Sequence, residues 1–467
     1  MEKKQLKKRN VTLVFGGLLL AIPVFTANGQ DRVAQPGTFD PLTETAHQKG
    51  ASEPENTASS TAEPIPNAAV KIPGRIIVPS TTVARPEDIG FRAHTNYLVF
   101  VPQSIGARAN LATGNNLAPA ASITPDTTFA ENPGSLGCIY QVGPAYLGCT
   151  PSNGAGHHPL GGSGAIAIVD AYNNPDAASD LSTFDSYWGL PSANFTQVYC
   201  LPSHGSCETS NTPPANDKGW ALEEALDIEY AHAMAPYAKI FLVEAASSSN
   251  DDLTWANIWA AYYVDISGGG EVSNSWGSAE FSTESSYDSI FNNYNGEYYP
   301  VVYFASGGDQ GTVEYPSASP YVVSAGGTTV NRDSSGNYLS QSCWSGTGHG
   351  PSVYEPIPSY QSSAGIAGTK RSTTDLSFDA DPSSGASVYD AFNGGWFTVG
   401  GTSLASPALA GIVNNAGNFF SSTFQENTLL YSEYLGRKTY GADFYDVSPA
   451  RYDTCTGIGT PKTLIGK

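Results

Sequence analysis

Residues 220–245 read WALEEALDIEYAHAMAPYAKIFLVEA, and they contain the unit that decides the fold. The part through His232 consists of strong helix formers, whereas AKIFLVEA is a short apolar run typical of a buried strand. Runs of both kinds alternate from about residue 160. Further strands are predicted at GAIAIVD (164–170), EVSNSWG (271–277), VVYFASGG (301–308) and YVVSAGG (321–327), and further helices at AASDLSTFDSYWG (177–189) and DDLTWANIWAAYYV (251–264). This alternation predicts an α/β fold with a mostly parallel central sheet flanked by helices.

The N-terminal part of the chain has a different composition. A basic stretch at residues 3–9 is followed by the apolar run 11–25 and small residues at 27–29, which predicts a secretory signal peptide over residues 1–29. Residues 30–134 contain long stretches rich in Pro, Ala, Thr and Ser, with one strand-like run, HTNYLVFVP. We interpret residues 30–134 as a disordered, low-complexity region or a short pro-segment, and residues 135–467 as the folded domain.

The charge balance limits the partners of the chain. The sequence has 43 Asp and Glu against 22 Lys and Arg, a formal net charge of −21. Such an excess of carboxylates argues against nucleic acid as a partner and, once the signal is cleaved, against anionic membranes. We expect a secreted or extracytoplasmic monomer, whose self-repulsion falls as the carboxylates are protonated in acid.

The six cysteines of this 467-residue chain are an even number, as expected for disulfides in an exported protein. They allow 15 connectivities, and the simplest pairs Cys138 with Cys149, Cys200 with Cys207, and the remaining Cys343 with Cys455. A zinc site is disfavoured, because no C-x₂-C or closely spaced Cys/His set is present.

Three segments carry residues suited to chemistry, and each has a simpler explanation. Glu223 and Asp227 are four residues apart and share one helix face. Repulsion between the two carboxylates would separate their pKa values, as a general base and its supporting residue require. The simpler explanation is an acidic helix face exposed to solvent. Asp309 in FASGGDQGTVEYP follows a buried strand, where an aspartate is often only a turn residue. Ser403 in VGGTSLASP stands at a helix start and suits a nucleophile, although Thr402 or Ser403 could simply cap the helix.

Together the three segments resemble the sedolisin family of serine-carboxyl peptidases, relatives of subtilisin that work in acid. The family pattern is Glu-x-x-x-Asp, an Asp in a Ser-Gly-Asp type turn, and Gly-Thr-Ser-x-x-x-Pro. The chain supplies these as Glu223-x-x-x-Asp227, Ser306-Gly-Gly-Asp309 and Gly401-Thr-Ser403-x-x-x-Pro407. Flanking phrases such as VSNSWGSAEF, VEYPSASPYVVSAGGTTV and TGIGTP extend the resemblance over residues 160–461.

The resemblance implies a subtilisin-like fold and a secreted, acid-active endopeptidase acting on proteins or peptides. In this interpretation Ser403 is the nucleophile, Glu223 the general base, Asp227 its support, and Asp309 a donor in the oxyanion hole. A catalytically silent binding or surface protein on the same fold is the alternative. The family's large folded pro-domain has no counterpart in residues 30–134, which argues against autoactivation by acid, although these residues could still be removed.

A subtilisin-type triad is the rival arrangement, with Asp170 at the end of the first buried strand as its acid. It also needs a histidine in a His-Gly-Thr setting, and none of the seven histidines has that context. We therefore expect His232 to be structural and Asp170 to shape the strand end or the substrate cleft.

The C-terminal segment FYDVSPARYDTCTGIGTP resembles the calcium loop of the family. The resemblance implies one structural calcium ion bound by Asp446, the carbonyl of Val447 and Asp453. The glycine-rich part of the family's loop is shortened here, so the other ligands are not assigned. A turn held only by a Cys343–Cys455 bridge is the alternative.

Overall fold

A computed structural model describes residues 69–103, 121–201, 205–293, 297–298, 300–436, 439–448, 451–464 and 466–467. The predicted signal peptide and the adjoining residues 30–68 lie outside these ranges. Across the described residues no helix has the length and apolar character needed to cross a membrane.

The secondary structure alternates in the way that the sequence predicts. The helices are α1 (Pro133–Ile139), α2 (Ala177–Trp188), α3 (Lys218–Met234), α4 (Asn250–Ile266), α5 (Asp288–Phe291), α6 (Ser359–Ser363), α7 (Thr402–Ala416), α8 (Thr423–Leu435) and α9 (Tyr440–Asp443). The strands are β1 (Gly74–Ile77), β2 (His94–Thr95), β3 (Leu98–Pro102), β4 (Ala165–Ala171), β5 (Asn194–Leu201), β6 (Ser206–Glu208), β7 (Lys239–Ala245), β8 (Gly270–Asn274), β9 (Trp276–Ala279), β10 (Val301–Ser306), β11 (Glu314–Tyr315), β12 (Val323–Arg332), β13 (Tyr338–Cys343), β14 (Gly350–Pro356), β15 (Lys370–Thr373), β16 (Leu376–Asp379), β17 (Ala386–Asp390), β18 (Gly395–Gly400), β19 (Phe444–Tyr445) and β20 (Thr460–Pro461).

The central sheet runs β13-β12-β10-β8-β4-β7-β5-β6, with β16 also paired to β12. Its six inner pairings are parallel, and only β13 and β6 pair antiparallel, at the two edges. This is the predicted α/β architecture with a mostly parallel sheet, and the fold class is confirmed.

Both faces of the sheet are covered by helices. Along β4, Ile166 and Ile168 pack into a core that includes side chains of α3 and α7, whereas Ala167 and Val169 pack into a second core with α4. A strand buried on both faces reads as a continuous apolar run, which explains the sequence of β4. Helices α3 and α7, which carry Glu223 and Ser403, therefore lie on the same face.

Part of the N-terminal region is folded, so the described fold begins before the predicted boundary at residue 135. Strands β1 and β3 form a four-stranded sheet in the order β1-β3-β18-β17, and β3 is buried. The antiparallel pairing of β3 with β18 joins Phe100 to Thr398. Composition alone could not reveal this order, because the partner strand is almost 300 residues away in the chain.

Three disulfides join Cys138 to Cys149, Cys200 to Cys207, and Cys343 to Cys455. The simplest pairing of the six cysteines is thus confirmed.

Candidate active site

Ser403 lies in the first turn of α7 and is fully buried. Gly401 precedes the helix with a φ of +117°, a conformation that favours glycine. The Ser403 hydroxyl donates a hydrogen bond to the carbonyl of Ser275 at 3.2 Å. The side chain of Ser403 is therefore directed away from its own helix terminus, and capping does not explain this serine.

A carboxylate from another loop caps α7 instead. The Thr402 amide and hydroxyl both donate to Oδ1 of Asp309, at 2.8 and 2.9 Å. Burial raises the pKa of Asp309 well above its usual value, the Thr402 hydrogen bonds lower it, and Glu314 raises it further. Among the described residues Oδ2 of Asp309 has no hydrogen-bond partner. That oxygen is the one free to carry a proton and to donate it in a hydrogen bond.

Glu223 and Asp227 project from α3, which begins where Asp217 Oδ1 accepts hydrogen bonds from Gly219 N and Trp220 N at 2.9 and 3.0 Å. Both carboxyls are fully buried, so the solvated acidic face is not what the structure has. Burial raises the pKa of Glu223 well above its usual value, the charge of Asp227 raises it further, and the nearby Ser403 side chain lowers it.

Asp170 joins this group from the end of β4. Burial raises its pKa to about 8. Burial also raises the pKa of Asp227 well above its usual value, the charge of Asp170 raises it further, and the neighbouring side chains of Ser275 and Glu223 lower it. The structure thus brings Glu223 together with Ser403 and Asp227, and Asp170 interacts electrostatically with both of these carboxyls.

The described histidines are occupied elsewhere. His232 contacts the Pro191 carbonyl at 2.9 Å and Asp185 at 3.2 Å, as befits a structural residue. The ring nitrogens of His157 and His158 contact backbone carbonyls, and that of His349 contacts the Thr454 hydroxyl. His94 lies 3.6 Å from Glu314. Within the described part of the chain, Ser403 accordingly has carboxyls for neighbours and no histidine partner.

Two residues of the site were not found from the sequence. Asn96 donates its backbone N–H to Glu223 Oε2 at 3.2 Å, and its carbonyl accepts the N–H of Ser403 at 3.0 Å. Ser275, at the junction of β8 and β9, supplies the carbonyl that holds the Ser403 hydroxyl. Ser275 lies in the phrase VSNSWG, but Asn96 lies in a segment whose composition gave no functional signal.

The C-terminal loop brings the predicted calcium ligands into one region. Burial raises the pKa of Asp446, the cation of Arg451 lowers it, and Asp453 raises it. The carboxylate of Asp453 accepts Cys455 N, Thr456 N and the Thr456 hydroxyl at 2.8, 2.9 and 2.6 Å. Two carboxylates that repel each other suit a hard cation such as calcium. The guanidinium of Arg451 also interacts with Asp446 and would compete with such a cation for this carboxylate. No cluster of three or more metal-binding side chains occurs in the described ranges, so any further ligands there would be carbonyls or water.

The fold and the site together define a class, a subtilisin-like α/β protein in which carboxyl groups surround a serine in the first turn of a helix. The Subtilase family matches residues 215–429. Sedolisin of Pseudomonas sp. (strain 101) is 25% identical over 381 residues, covering 73% of this chain and 61% of sedolisin. Kumamolisin of Bacillus sp. (strain MN-32) is 29% identical over 340 residues, covering 65% of this chain and 59% of kumamolisin. Xanthomonalisin of Xanthomonas sp. (strain T-22) is 28% identical over 388 residues, covering 66% and 45%.

These matches confirm the resemblance to the sedolisin family of serine-carboxyl peptidases. A solved structure of Pseudomonas sedolisin, a serine-carboxyl proteinase complexed with two molecules of pseudo-iodotyrostatin, matches 72% of this chain and 96% of that chain. Its TM-score is 0.58 at 24% identity, which shows a shared fold. The chain spans less than two thirds of the length of the relatives named above.

Proposed function

We propose that the protein is a secreted, acid-active serine endopeptidase that hydrolyses peptide bonds through Ser403, Glu223 and Asp227, with Asp309 in the oxyanion hole. The observation that carries the proposal is the position of Ser403 in the first turn of α7, where it interacts with Glu223 and directly follows Thr402, whose amide is capped by Asp309. Protein or peptide substrates follow from the named relatives, and export follows from the predicted signal peptide and the three disulfides.

The roles follow from proton chemistry. Glu223, when ionised, accepts the proton of the Ser403 hydroxyl as the oxygen attacks the scissile carbonyl. Asp227 and Asp170 interact electrostatically with Glu223, and their negative charges favour its protonated form. Protonated Asp309 would donate from Oδ2 to the oxyanion, beside the N–H of Ser403.

Acid activity follows from the same groups. Burial and neighbouring carboxyls raise the pKa values of Glu223, Asp227 and Asp309, so the cluster retains protons to higher pH than free carboxyls do. Raising the pH removes the proton that Asp309 must donate. Activity should therefore decline on the alkaline side, and it should also decline in strong acid, when Glu223 can no longer accept a proton.

The experiment that tests the proposal compares wild type with Ser403→Ala on an unfolded protein substrate at acidic pH. We expect hydrolysis by wild type and none above background by the variant, because the nucleophilic oxygen is absent. A matching melting curve for the variant would show that the fold is kept. Reaction of the wild type with a peptide aldehyde would distinguish a peptidase from a catalytically silent binding protein. Equal hydrolysis of the substrate by wild type and Ser403→Ala would contradict the role of Ser403.

We further propose that Asp446, the carbonyl of Val447 and Asp453 bind one calcium ion that stabilises the C-terminal loop. Added calcium should raise the melting temperature by mass action, and Asp446→Ala should remove that response. Asp333→Ala is the control, because Asp333 also accepts amide hydrogen bonds in its own turn, from Ser335 and Asn337, but lies outside the loop. A wild-type melting curve that is unchanged by calcium or by a chelator would contradict the site.

A further inference from the structure

Thr402 connects the loop that carries Asp309 to the candidate nucleophile, since it is fully buried and directly precedes Ser403. Its hydroxyl oxygen accepts the backbone N–H of Gly308 at 3.0 Å and donates to Asp309 Oδ1 at 2.9 Å. A backbone N–H can only donate, so the single proton of the hydroxyl is the one that faces Asp309. The orientation of this hydroxyl is therefore fixed by the loop itself.

The two hydrogen bonds from Thr402 make the oxygens of Asp309 unequal. Oδ1 accepts both the amide and the hydroxyl of Thr402, at 2.8 and 2.9 Å. A carboxyl oxygen has two lone pairs, so both are used and a proton is disfavoured on Oδ1. Oδ2 faces Gly401 instead, where an added methyl group would lie 2.5 Å from it. The proton of a neutral Asp309 thus belongs on Oδ2, beside the turn that leads into Ser403.

Thr402 also acts on the charge of Asp309. Burial raises the pKa of Asp309, the amide and hydroxyl of Thr402 lower it, and the charge of Glu314 raises it. A hydrogen bond donated to a carboxylate lowers the pKa because it favours the ionised form. Asp309 in turn acts electrostatically on Glu223 of α3. Among these groups, the Thr402 hydroxyl can be removed without changing the charge of any side chain.

We propose that Thr402 is a positioning residue whose hydroxyl holds the proton of Asp309 on Oδ2 and sets the upper pH limit of peptide hydrolysis. This inference rests on the proposed function, in which Asp309 donates that proton in a hydrogen bond to the oxyanion. The hydroxyl has two opposing effects. It keeps the protonated oxygen in position, yet the same hydrogen bond favours loss of the proton as the pH rises. A chain without the hydroxyl should hydrolyse peptides more slowly at the acidic maximum and retain activity to higher pH.

The loop after β10 has other attachments, so removal of the hydroxyl should leave the loop in place. Gly348 N donates to the Gly308 carbonyl at 2.7 Å, and Gly307 N donates to a carbonyl of β12 at 2.8 Å. The amide of Thr402 also keeps its bond to Asp309. Thr402→Val removes the oxygen and leaves these bonds, whereas Thr402→Ser keeps the hydroxyl and removes a methyl group.

The first measurement is the pH dependence of kcat/KM on one soluble peptide substrate, with melting curves for each protein. We expect the alkaline limb of Thr402→Val to lie about one pH unit above that of wild type, the usual size of one hydrogen bond to a charged group. Its maximum should fall by less than the roughly hundredfold loss that removal of an oxyanion donor causes, because Asp309 is still present. Thr402→Ser should restore the wild-type limb. A loss of stability alone would lower activity without moving the limb.

Thr128→Val is the matched control. The amide and hydroxyl of Thr128 both donate to Asp126 Oδ1, at 2.8 and 2.6 Å, in an exposed turn that contains none of the candidate site residues. This variant loses the same kind of hydrogen bond and should keep the wild-type limb. In an Asp309→Asn background, Thr402→Val should not move the limb either, because residue 309 no longer ionises. An equal alkaline shift in both backgrounds would overturn the inference.

A second measurement needs no catalysis, so it also decides the case of an inactive Thr402→Val. Carboxyl ¹³C NMR on protein with labelled aspartate follows the titration of Asp309 in a Ser403→Ala background. The signal that disappears in Asp309→Asn belongs to Asp309, and it should titrate at higher pH when Thr402 is valine. A titration that is the same with threonine and valine would overturn the inference.

The two levels of the account can fail separately. Hydrolysis by wild type, with the same alkaline limb in Thr402→Val, would overturn the role of Thr402 and leave the proposed function standing. Absence of hydrolysis by every protein, including wild type, would overturn both.

Discussion

Glu223 and Glu224 are adjacent on α3, and both are fully buried, yet their surroundings differ. Glu223 faces Ser403 and Asp227, whereas Glu224 accepts the N–H of Asn174 at 2.9 Å and interacts with Glu244. The pair shows that burial of a carboxyl is not enough to define a site. The interaction with Ser403, a serine on another helix, distinguishes Glu223.

This difference predicts the effect of single substitutions. Glu223→Gln should lower kcat by at least about a hundredfold, because an amide cannot take the proton of Ser403. Asp227→Asn should be less damaging, since Asp227 acts through Glu223. Glu224→Gln is the matched control and should retain most of the activity. Steady-state rates at the acidic optimum, with melting curves for all three variants, check the order, and a Glu224→Gln variant as inactive as Glu223→Gln would contradict it.

At the scale of elements, the start of α7 depends on a loop almost a hundred residues earlier. Asp309 supplies the cap that Gly401 cannot provide, because Thr402 N and its hydroxyl both donate to Oδ1. Asp309→Ala should lower the free energy of unfolding by about 0.5–2 kcal/mol, the usual cost of losing a helix cap. Asp309→Asn keeps an acceptor oxygen and should lose less. Chemical denaturation checks the order, and equal stability of both variants would contradict the capping role.

Most of the inner strands of the sheet and helices α2, α3 and α4 could be predicted from the sequence, because their apolar pattern is local, whereas α8 and β5 were not predicted. Helix α3, with its cap at Asp217, and strand β4 are examples. Ser403, Glu223, Asp227 and Asp309 could be chosen only from the resemblance to a family, since each segment had a simpler explanation. Asn96 could not be found, because its role depends on the pairing of β2 with β9, more than 180 residues away.

At the scale of the whole molecule, buried carboxyls make stability depend on pH. Burial raises the pKa of Glu244 to about 8, with the hydrogen bond from Gln197 lowering it, and burial raises that of Glu426 to about 8, with Lys467 lowering it. In the unfolded chain these groups titrate near pH 4. Between about pH 4 and 8 the folded state therefore binds more protons, and the free energy of unfolding falls as the pH rises.

We accordingly expect the melting temperature to be highest in acid and to fall as the pH increases from 4 to 8. Each such carboxyl can lower the free energy of unfolding by at most about 1.4 kcal/mol for every pH unit crossed in this range. Ser403→Ala should be used to prevent self-digestion, and Glu426→Gln in that background should flatten the curve. Calorimetry at constant ionic strength measures the effect, and a melting temperature that rises steadily from pH 4 to 8 would contradict this account.

The central claim, that carboxyl groups rather than a histidine serve Ser403, is tested most directly by the pH dependence of kcat/KM on one soluble peptide substrate. A histidine base would give activity that rises through about pH 6–7. The proposed roles, an ionised carboxylate at Glu223 and a protonated carboxyl at Asp309, predict instead a bell on the acidic side, whose two limbs belong to the interacting carboxyl groups. Asp309→Asn, with a donor that does not ionise, should have a lower maximum and a weaker alkaline decline. A wild-type maximum at neutral or alkaline pH would contradict the serine-carboxyl mechanism.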